Sequence, residues 1–359
     1  MFFGENKQLL SDFSRVSKAA GGRSDYVQGG GGNTSVKLPG GLMAIKASGF
    51  CLKDIEIDKA YAVLNGANIK DFYLTSEPSD FEDVEKAGSA KAKENILHID
   101  GLADLRPSVE AGFHSILSTF VVHTHSVYAN LACCCTACRV VAEQAFQGAG
   151  YTWGWVPYTD PGANLTFAIR DELRRVEKET GKLPSVILMQ NHGIIVHDDD
   201  PDKALAIHTD ANERLARMFG LTGISFPEVK IKKMAAGIFA ADTEYLEKSF
   251  AANEFGEDFL LAQPLYPDQL VFLTDTFSMD REDIADSQAV ASSVTGQMLM
   301  KMDEKKAMTL TETLTAVFFI LNNLKKAGYT VETMGEAAKK FIANWESEKY
   351  RKSLAGKKA

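Results

Sequence analysis

The amino-acid sequence predicts an α/β protein with a layered α/β/α domain and a mainly helical C-terminal extension. Up to about residue 220, segments of helical periodicity alternate with short apolar strands, the pattern of helices packed on a central sheet. Beyond about residue 235 the character of the sequence changes toward helices. The chain has 359 residues, 45% of them hydrophobic, so it can bury a full core in one large domain or two modest ones.

We therefore predict a first domain over residues 1–235 and an extension over residues 236–359. Within the extension, TLTETLTAVFFILNNLKKAG has the apolar positions and the closing glycine of a core-facing helix. PLYPDQLVFL predicts one more strand, and ANWESEKYRKSLAGKKA predicts a charged terminal helix that frays. We expect the extension to pack on the first domain, where it can cover a functional site or form an oligomer contact.

Three histidines and a glutamate form the first candidate site. His123 and His125 follow the apolar run STFVV, and residues two apart in a strand point to the same side, so the two imidazoles can lie together while Thr124 faces away. His192 follows a second apolar strand, SVILMQ, and Glu110 precedes the first pair. An H-x-H pair alone is a weak signal. Both histidine groups, however, lie at strand ends, where α/β proteins bind ligands. Three imidazoles are typical of catalytic zinc, whose fourth position is left to a carboxylate, water or substrate.

We expect the other histidines to have structural or supporting roles. His98 and His197 lie in polar surroundings without an obvious partner, and His208 falls in a helix-like run where a solvated face is expected. His114 is four residues after Glu110 and on the same helical face, so it either packs or supports the carboxylate.

The segment VQGGGGNTSVKLPGGLMAIKASGF is the second informative element. Its glycines let backbone N–H groups approach a ligand, its hydroxyls and amide add donors, and Lys37 or Lys46 adds charge, which suits a phosphate. A tight hairpin turn is the alternative. The segment is neither a P-loop nor a dinucleotide fingerprint, because the glycine run opens into the β-like TSVKL. The candidate phosphate-binding residues are Gly32, Asn33, Thr34, Ser35, Lys37, Ser48, Gly49 and, at the start of the Glu110 helix, Ser108.

Together these motifs resemble the class II aldolase/adducin family, and within it the aldolase part of bifunctional rhamnulose-1-phosphate aldolase/dehydrogenase proteins. GGGGNTSVK and KASG are similar to the phosphate-binding loops, PSVEAGFH to the segment with the catalytic acid, HTHS to the paired zinc ligands and NHG to the third. The resemblance covers about residues 5 to 220. It implies a mostly antiparallel central sheet, one Zn²⁺ per chain on His123, His125 and His192, Glu110 as the catalytic acid, and a homotetramer. No second glycine-rich fingerprint follows residue 230, so we expect no nicotinamide chemistry.

The implied reaction is cleavage of a ketose 1-phosphate, of the rhamnulose- or fuculose-phosphate type, to dihydroxyacetone phosphate and an aldehyde such as lactaldehyde. This is retro-aldol chemistry through a metal-stabilised enediolate. Glu110 would move the proton at the carbon that becomes the enediolate, and we expect desolvation to raise its pKa. A further tyrosine or acid often assists in this family. Tyr158 is the candidate here, with simple packing as the alternative.

Several alternatives remain open at this point. Many phospho-ketose aldolases carry two serines before the acid, whereas this chain has Ser108-Val109-Glu110, so a non-phosphorylated or differently charged substrate is also considered. A pentulose-phosphate 4-epimerase or a sugar-acid phosphate decarboxylase would use the same metal site. The glutamate favours aldol cleavage, since related epimerases tend to carry aspartate there. A non-catalytic, adducin-like binding or assembly protein is the alternative of another class, and the three histidines argue against it.

Composition limits the partners. The formal net charge of −9 disfavours nucleic acid, and a small-molecule sugar phosphate is the expected ligand. The polar, acidic N-terminus is not a secretory signal, and no apolar run approaches the ~18 residues of a membrane span, so we expect a cytoplasmic protein without membrane association. Of the five cysteines, four lie in SVYANLACCCTACRVV, which predicts a buried helix of small residues rather than a zinc or redox site.

Overall fold

A computed structural model of the chain describes residues 2–274, 276–281, 284 and 288–344. Its first part is built on an eight-stranded sheet. The strands are β1 (Asn33–Leu38), β2 (Leu42–Lys46), β3 (Tyr61–Asn65), β4 (Ile96–Leu97), β5 (Phe120–Thr124), β6 (Trp153–Val156), β7 (Val186–Met189) and β8 (Gly193–Asp198). They lie in the order β4-β3-β2-β1-β5-β8-β7-β6. Every neighbouring pair is antiparallel except β6 and β7, which are parallel.

Helices cover both faces of this sheet. They are α1 (Phe2–Glu5), α2 (Lys7–Gly21), α3 (Gly66–Thr75), α4 (Val84–Glu94), α5 (Ala111–Ile116), α6 (Val127–Cys133), α7 (Cys138–Ala145), α8 (Ala163–Thr180) and α9 (Pro201–Met218). Strand β5 shows the alternation that joins the layers: Val122 packs with α2 and α9, whereas Val121 packs with α5 and α8. The prediction of a three-layer α/β/α domain with a mostly antiparallel sheet is confirmed.

The second part of the chain combines helices with a smaller sheet. Its elements are β9 (Ile231–Ala235), β10 (Ile238–Ala241), α10 (Glu244–Ala252), α11 (Glu257–Ala262), α12 (Pro267–Leu273), β11 (Phe277–Met279), β12 (Ala289–Ala291), β13 (Met298–Lys301), α13 (Glu304–Lys326) and α14 (Glu336–Asn344). The C-terminal part is helical, as predicted. Its five-stranded sheet, ordered β11-β12-β13-β10-β9, was not predicted from the sequence. These strands have only three to five residues, too few for a clear period-two pattern. The sheet begins at Ile231, so the boundary placed at residue 235 falls inside a hairpin.

Two predicted elements differ in the structure. The segment PLYPDQLVFL is not a strand but contains helix α12, because Pro267 supplies the fixed φ that suits a first helical turn. The cysteine-rich stretch is two helices rather than one. The backbone between α6 and α7 instead pairs with the extension, where Thr136 N–H donates to Thr330 and Glu332 N–H donates to Cys134. Most of the predicted terminal helix, from residue 345 onward, lies outside the described residues.

The extension shares one hydrophobic core with the first domain. Helix α13 packs on α6, and its buried residues form a common cluster with those of α6, α7 and α9. By length and composition alone α13 could cross a membrane, the one such helix in the described part of the chain, yet 78% of its apolar window is buried inside the protein. Its hydrophobicity is explained by its place in this core.

Candidate metal centre

Strand β5 presents the first two histidines as the sequence predicted. His123 lies in the strand and His125 just beyond its end, and their Nε2 atoms are 3.1 Å apart. Thr124 points to the opposite face of the sheet, where its hydroxyl contacts His208 Nε2 at 2.8 Å. Both imidazoles of the pair are buried. The strand alternation therefore places two ligand nitrogens on one side of the sheet.

His192 joins this pair from the tight turn between β7 and β8. The turn needs a left-handed residue, Asn191, with φ of +50°. It also needs Gly193, where a Cβ would lie 2.3 Å from the carbonyl oxygen of Thr124. The centroid of the His192 ring is 5.0 Å from that of His123 and 5.1 Å from that of His125. The close packing of this turn against the end of β5 brings the third imidazole to the first two.

The three imidazoles fit a divalent metal. One nitrogen from each lies within 4.8 Å of the others. A tetrahedral zinc with Zn–N bonds of ~2.0–2.1 Å would hold two ligand nitrogens about 3.3 Å apart, close to the observed separation of the His123 and His125 Nε2 atoms. Burial lowers the pKa of His123 to about 3, so that ring is neutral near pH 7, the form that binds metals. Its Nδ1 lies 3.1 Å from the Ile194 carbonyl, which leaves Nε2 free to bind.

Glu110 lies directly beside the histidines. Its Oε1 is 3.2 Å from His192 Nε2, and its Oε2 is 3.6 Å from His123 Nε2. Burial acts to raise the pKa of Glu110, but the neighbouring imidazoles and the Asn33 amide outweigh that effect and lower the pKa well below its ordinary value. The expectation of a raised pKa was therefore wrong, because burial does not act alone here. The carboxylate is ionised next to the candidate metal position.

Asn33 connects the glycine-rich segment to this carboxylate. Its amide donates to Glu110 Oε2 at 2.6 Å and to the Ser108 hydroxyl at 3.0 Å. Its amide oxygen contacts His114 Nε2, and the other ring nitrogen of His114 lies 2.7 Å from the Ser35 hydroxyl. His114 therefore supports Glu110 through Asn33 rather than by direct contact. Ser108 does not cap α5, whose first helical residue is preceded by Glu110 itself.

The candidate phosphate-binding residues divide into two groups. Ser108 and Asn33 lie beside Glu110, and the loop with Ser48 and Gly49 adjoins them, because Ser108 N–H donates to the Lys46 carbonyl. Gly32 also lies at the centre, since a Cβ there would be 2.6 Å from the carbonyl oxygen of His123.

Three other members of that set do not lie at the centre. Thr34 points to the opposite face, where its hydroxyl contacts Ser17, and Ser35 is occupied by His114. The Lys37 ammonium donates to the carbonyls of His114 and Ser118 near the far end of β1. Burial lowers the pKa of Lys37 to about 7. The expectation that these three side chains surround a phosphate is therefore corrected. Strand alternation turns Thr34 to the opposite face, Ser35 is taken up by His114, and Lys37 lies too far along β1.

The glycine-rich loop is covered by the extension. Gly29 N–H donates to Glu312 of α13 at 2.8 Å, and a Cβ on Gly29 would collide with the Thr309 side chain. The Lys46 ammonium, on the adjacent strand, donates to the carbonyls of Gly30 and Phe50. Part of the glycine run therefore serves close packing of the extension.

One residue beside the three histidines was not predicted from the sequence. Asp268, in the first turn of α12, places its Oδ2 2.5 Å from His125 Nδ1, and both side chains are buried. Tyr266, also buried, lies against His125 with ring centroids 6.1 Å apart. An acidic residue after Tyr-Pro in the extension carried no recognisable signal. Because that segment was predicted to be a strand, the helix that directs Asp268 inward was not expected.

The remaining candidates have structural roles. His98 is exposed and pairs with Asp104. His197 is buried against Ser118, in agreement with a structural role. His208 is buried, so the expectation of a solvated face was wrong. Tyr158 contacts Asp160 and packs in a small cluster with Val271 and Met334, which agrees with the packing alternative.

The cysteines also pack. Cys133, Cys134 and Cys135 are buried thiols without disulfides, and Cys138 is partly exposed. A surface cleft of about 630 Å³ lies elsewhere, between residues 22–25 and 223–229, and contains none of the metal-binding candidates.

The fold and the centre define a layered α/β domain able to hold a divalent metal among three histidines and a glutamate. Residues 12–219 match the family described as Class II Aldolase and Adducin N-terminal domain, which is more than half of the chain. The chain belongs to this family. The closer likeness to the aldolase part of rhamnulose-1-phosphate aldolase/dehydrogenase proteins stays a prediction. None of the curated proteins matches the chain.

Solved structures with a similar fold include the N-terminal class II aldolase domain of a conserved protein from Thermoplasma acidophilum. It has 20% identity and a TM-score of 0.45, with 57% of this chain and 91% of that chain covered. YgbL from Escherichia coli, described as a putative aldolase/epimerase/decarboxylase, has 21% identity, a TM-score of 0.41 and coverages of 60% and 90%. L-fuculose-1-phosphate aldolase from Thermus thermophilus has 14% identity, a TM-score of 0.37 and coverages of 61% and 98%.

Proposed function

We propose that this protein is a zinc-dependent aldolase that cleaves a ketose 1-phosphate to dihydroxyacetone phosphate and an aldehyde. The observation that carries the proposal is the position of the buried Glu110 carboxylate directly against the His123–His125–His192 cluster. Family membership agrees with an aldolase-type enzyme. We further propose that the protein is cytoplasmic and a homotetramer, with one zinc ion per chain.

The roles of the side chains follow from their positions. His123, His125 and His192 would hold the metal, which supplies Lewis-acid stabilisation of negative charge on a substrate oxygen. Glu110 would accept a proton from the substrate and return it to the carbon left after C–C cleavage, since its carboxylate is ionised and within reach of the centre. Asn33 holds that carboxylate in place and also donates to the Ser108 hydroxyl, which therefore lies beside Glu110.

The phosphate end of the substrate would be bound by the remaining donors beside Glu110. Ser108 supplies its hydroxyl, which accepts a hydrogen bond from Asn33 and keeps its own proton for a ligand, and Ser48 and Gly49 form the adjoining, more exposed loop. A phosphate there would replace water as the partner of these groups. Gly32 allows the close approach of the loop to β5, because a Cβ there would meet the His123 carbonyl oxygen.

A second candidate is the same retro-aldol reaction on a substrate without a phosphate. Two observations favour it. Val109 stands where many phospho-ketose aldolases have a serine. The Gly29 N–H, a potential anion donor, is already bonded to the Glu312 carboxylate, which also adds negative charge beside the loop. An epimerase or a decarboxylase would use the same carboxylate and would differ in the products released.

The test combines metal content with product analysis. We would measure bound zinc and the release of dihydroxyacetone phosphate from a panel of ketose 1-phosphates and the matching free ketoses, for the native chain and His123→Ala. Metal-dependent release of triose phosphate supports the proposal, and release of dihydroxyacetone from free ketoses supports the second candidate. Epimerised sugar without triose would favour the epimerase, and absence of bound metal in the native chain would refute the metal-dependent reaction altogether.

A further inference from the structure

We infer that Asp268 is a positioning residue for the metal centre, contributed by the extension to a site otherwise built from the family domain. The inference rests on the proposed function, since it concerns the metal that His123, His125 and His192 would hold. Asp268 Oδ2 lies 2.5 Å from His125 Nδ1, and both side chains are buried. Asp268 lies outside residues 12–219, the part of the chain that matches the family.

The chemistry of the pair explains its effect. An ionised carboxylate has only acceptor atoms, so the His125 ring must place its proton on Nδ1 to make this bond. The lone pair of Nε2 then points toward His123 Nε2, 3.1 Å away, where the candidate metal position lies. Such a carboxylate fixes the tautomer and orientation of a ligand imidazole and increases its basicity.

The position of Asp268 is fixed by its surroundings. Gln269, the next residue of α12, receives the Leu265 N–H and donates to the Leu260 carbonyl, which anchors the start of the helix. On the other side Gly31 leaves just enough room. A Cβ at Gly31 would lie 2.3 Å from Asp268 Oδ2 and 3.1 Å from His125 Nδ1. One member of the glycine run is therefore explained by the contact between Asp268 and the ligand.

The extension also holds the turn that carries His192. The Asn191 amide, directly before His192, donates to the carbonyls of Leu265 and Glu332 at 2.9 Å each. Asn191 is the left-handed residue of that turn, so these bonds hold the backbone from which His192 projects. The extension thus contacts the supports of two of the three metal ligands, and we regard it as part of the metal centre.

The test is a Co²⁺ titration of the full-length, metal-free protein, followed by calorimetry and by the visible absorption of the bound ion. The variants are Asp268→Asn, which keeps the shape but can offer a donor to Nδ1, and Glu257→Gln as the control. Glu257 is also a carboxylate of the extension, and it accepts from the backbone N–H of Met279 and from Arg281 rather than from a histidine of the centre. Circular dichroism and thermal unfolding of the metal-free proteins check that each variant folds.

We expect Asp268→Asn to bind Co²⁺ ~10- to 100-fold more weakly than the native chain, with an altered absorption spectrum, while Glu257→Gln binds as the native chain does. Equal affinity and spectrum in the native and Asp268→Asn proteins would overturn the inference and leave the proposed function standing. Equal weakening in both variants would also overturn it, as a general effect of the extension. No Co²⁺ binding by the native chain would refute the proposed function itself.

A second variant, at Gly31 of the glycine-rich loop, tests the contact between Asp268 and His125 without changing either residue. Gly31→Ala replaces no carboxylate or imidazole, but its added methyl group would displace the Asp268 carboxylate from His125. If Asp268→Asn fails to fold, weakened Co²⁺ binding by a folded Gly31→Ala protein supports the inference, and unchanged binding contradicts it.

Discussion

The side-chain amide of Asn33 donates a 2.6 Å hydrogen bond to the Glu110 carboxylate, which joins the glycine-rich segment to the metal centre. A fully buried polar pair of this kind holds the carboxylate in one orientation. Asn33 sits on β1 opposite His123 of β5, so the same strand pairing that aligns the ligands also aligns the acid. The orientation of Glu110 is therefore tied to the central sheet.

Replacing Asn33 by alanine should reduce catalysis without removing the metal. A hydrogen bond to a charged group contributes about 1.5–3 kcal/mol, so we expect kcat/KM to fall roughly 10- to 100-fold in Asn33→Ala. Steady-state kinetics at saturating metal would measure this. Asn322→Ala is the matched control, because that amide contacts Tyr245 and Ser249 far from the ligands. A native kcat/KM in Asn33→Ala would show that the bond does not orient Glu110 for the reaction.

The change Glu110→Gln should abolish turnover and leave the fold and the metal ligands in place. The amide keeps the shape of the side chain but cannot accept a proton, whereas the three imidazoles are untouched. Product release and metal content, measured on the same preparation, would separate the two effects. Glu143→Gln, at an exposed ion pair with Arg139, should behave as the native chain. Undiminished turnover in Glu110→Gln would remove this residue from the mechanism.

Removal of the metal should destabilise the protein. A ligand that binds only the folded state raises the free energy of unfolding by about 2.7 kcal/mol at 100 times its Kd, so adding Zn²⁺ to chelator-treated protein should raise Tm. His123→Ala lacks one imidazole and should show a much smaller rise. Differential scanning calorimetry with and without Zn²⁺ would measure both. The same rise in both proteins would place the bound metal elsewhere.

Acid should destabilise the fold through His208. Burial lowers the pKa of this imidazole to about 3, against an ordinary 6.5, so between these values the unfolded chain binds a proton that the folded chain does not. The contribution of the neutral, buried imidazole to the free energy of unfolding is therefore complete above pH 6.5. It is lost as the pH falls toward 3, with a slope of about 1.4 kcal/mol per pH unit. In His208→Gln the free energy of unfolding should fall less steeply between pH 6.5 and 4.5. Parallel curves from denaturant titrations would contradict this assignment.

Much of the site could be predicted because its signals are local. The two-residue period of a strand brings His123 and His125 to one side in any fold that contains the strand, and the glycine turn after His192 is visible in the sequence. The apolar runs STFVV and SVILMQ, which contain most of β5 and β7, are likewise visible in the sequence. The short strands of the second sheet and the helix at Pro267 were missed, because a few apolar residues fit either type of element.

The sequence by itself predicted the three-histidine group, the strand ends on which it lies and the layered architecture, because these depend on periodicity within short segments. Only the tertiary structure decided which residues support them. Asp268 reaches His125 from 143 residues away. Burial alone would raise the pKa of the Glu110 carboxylate, but the imidazoles of His123 and His192, together with the Asn33 amide, lower it. Likewise Thr34 and Lys37 share a motif with Asn33 yet lie away from the centre. Such contacts depend on how distant segments pack, and the residue spacing within a motif does not specify that packing.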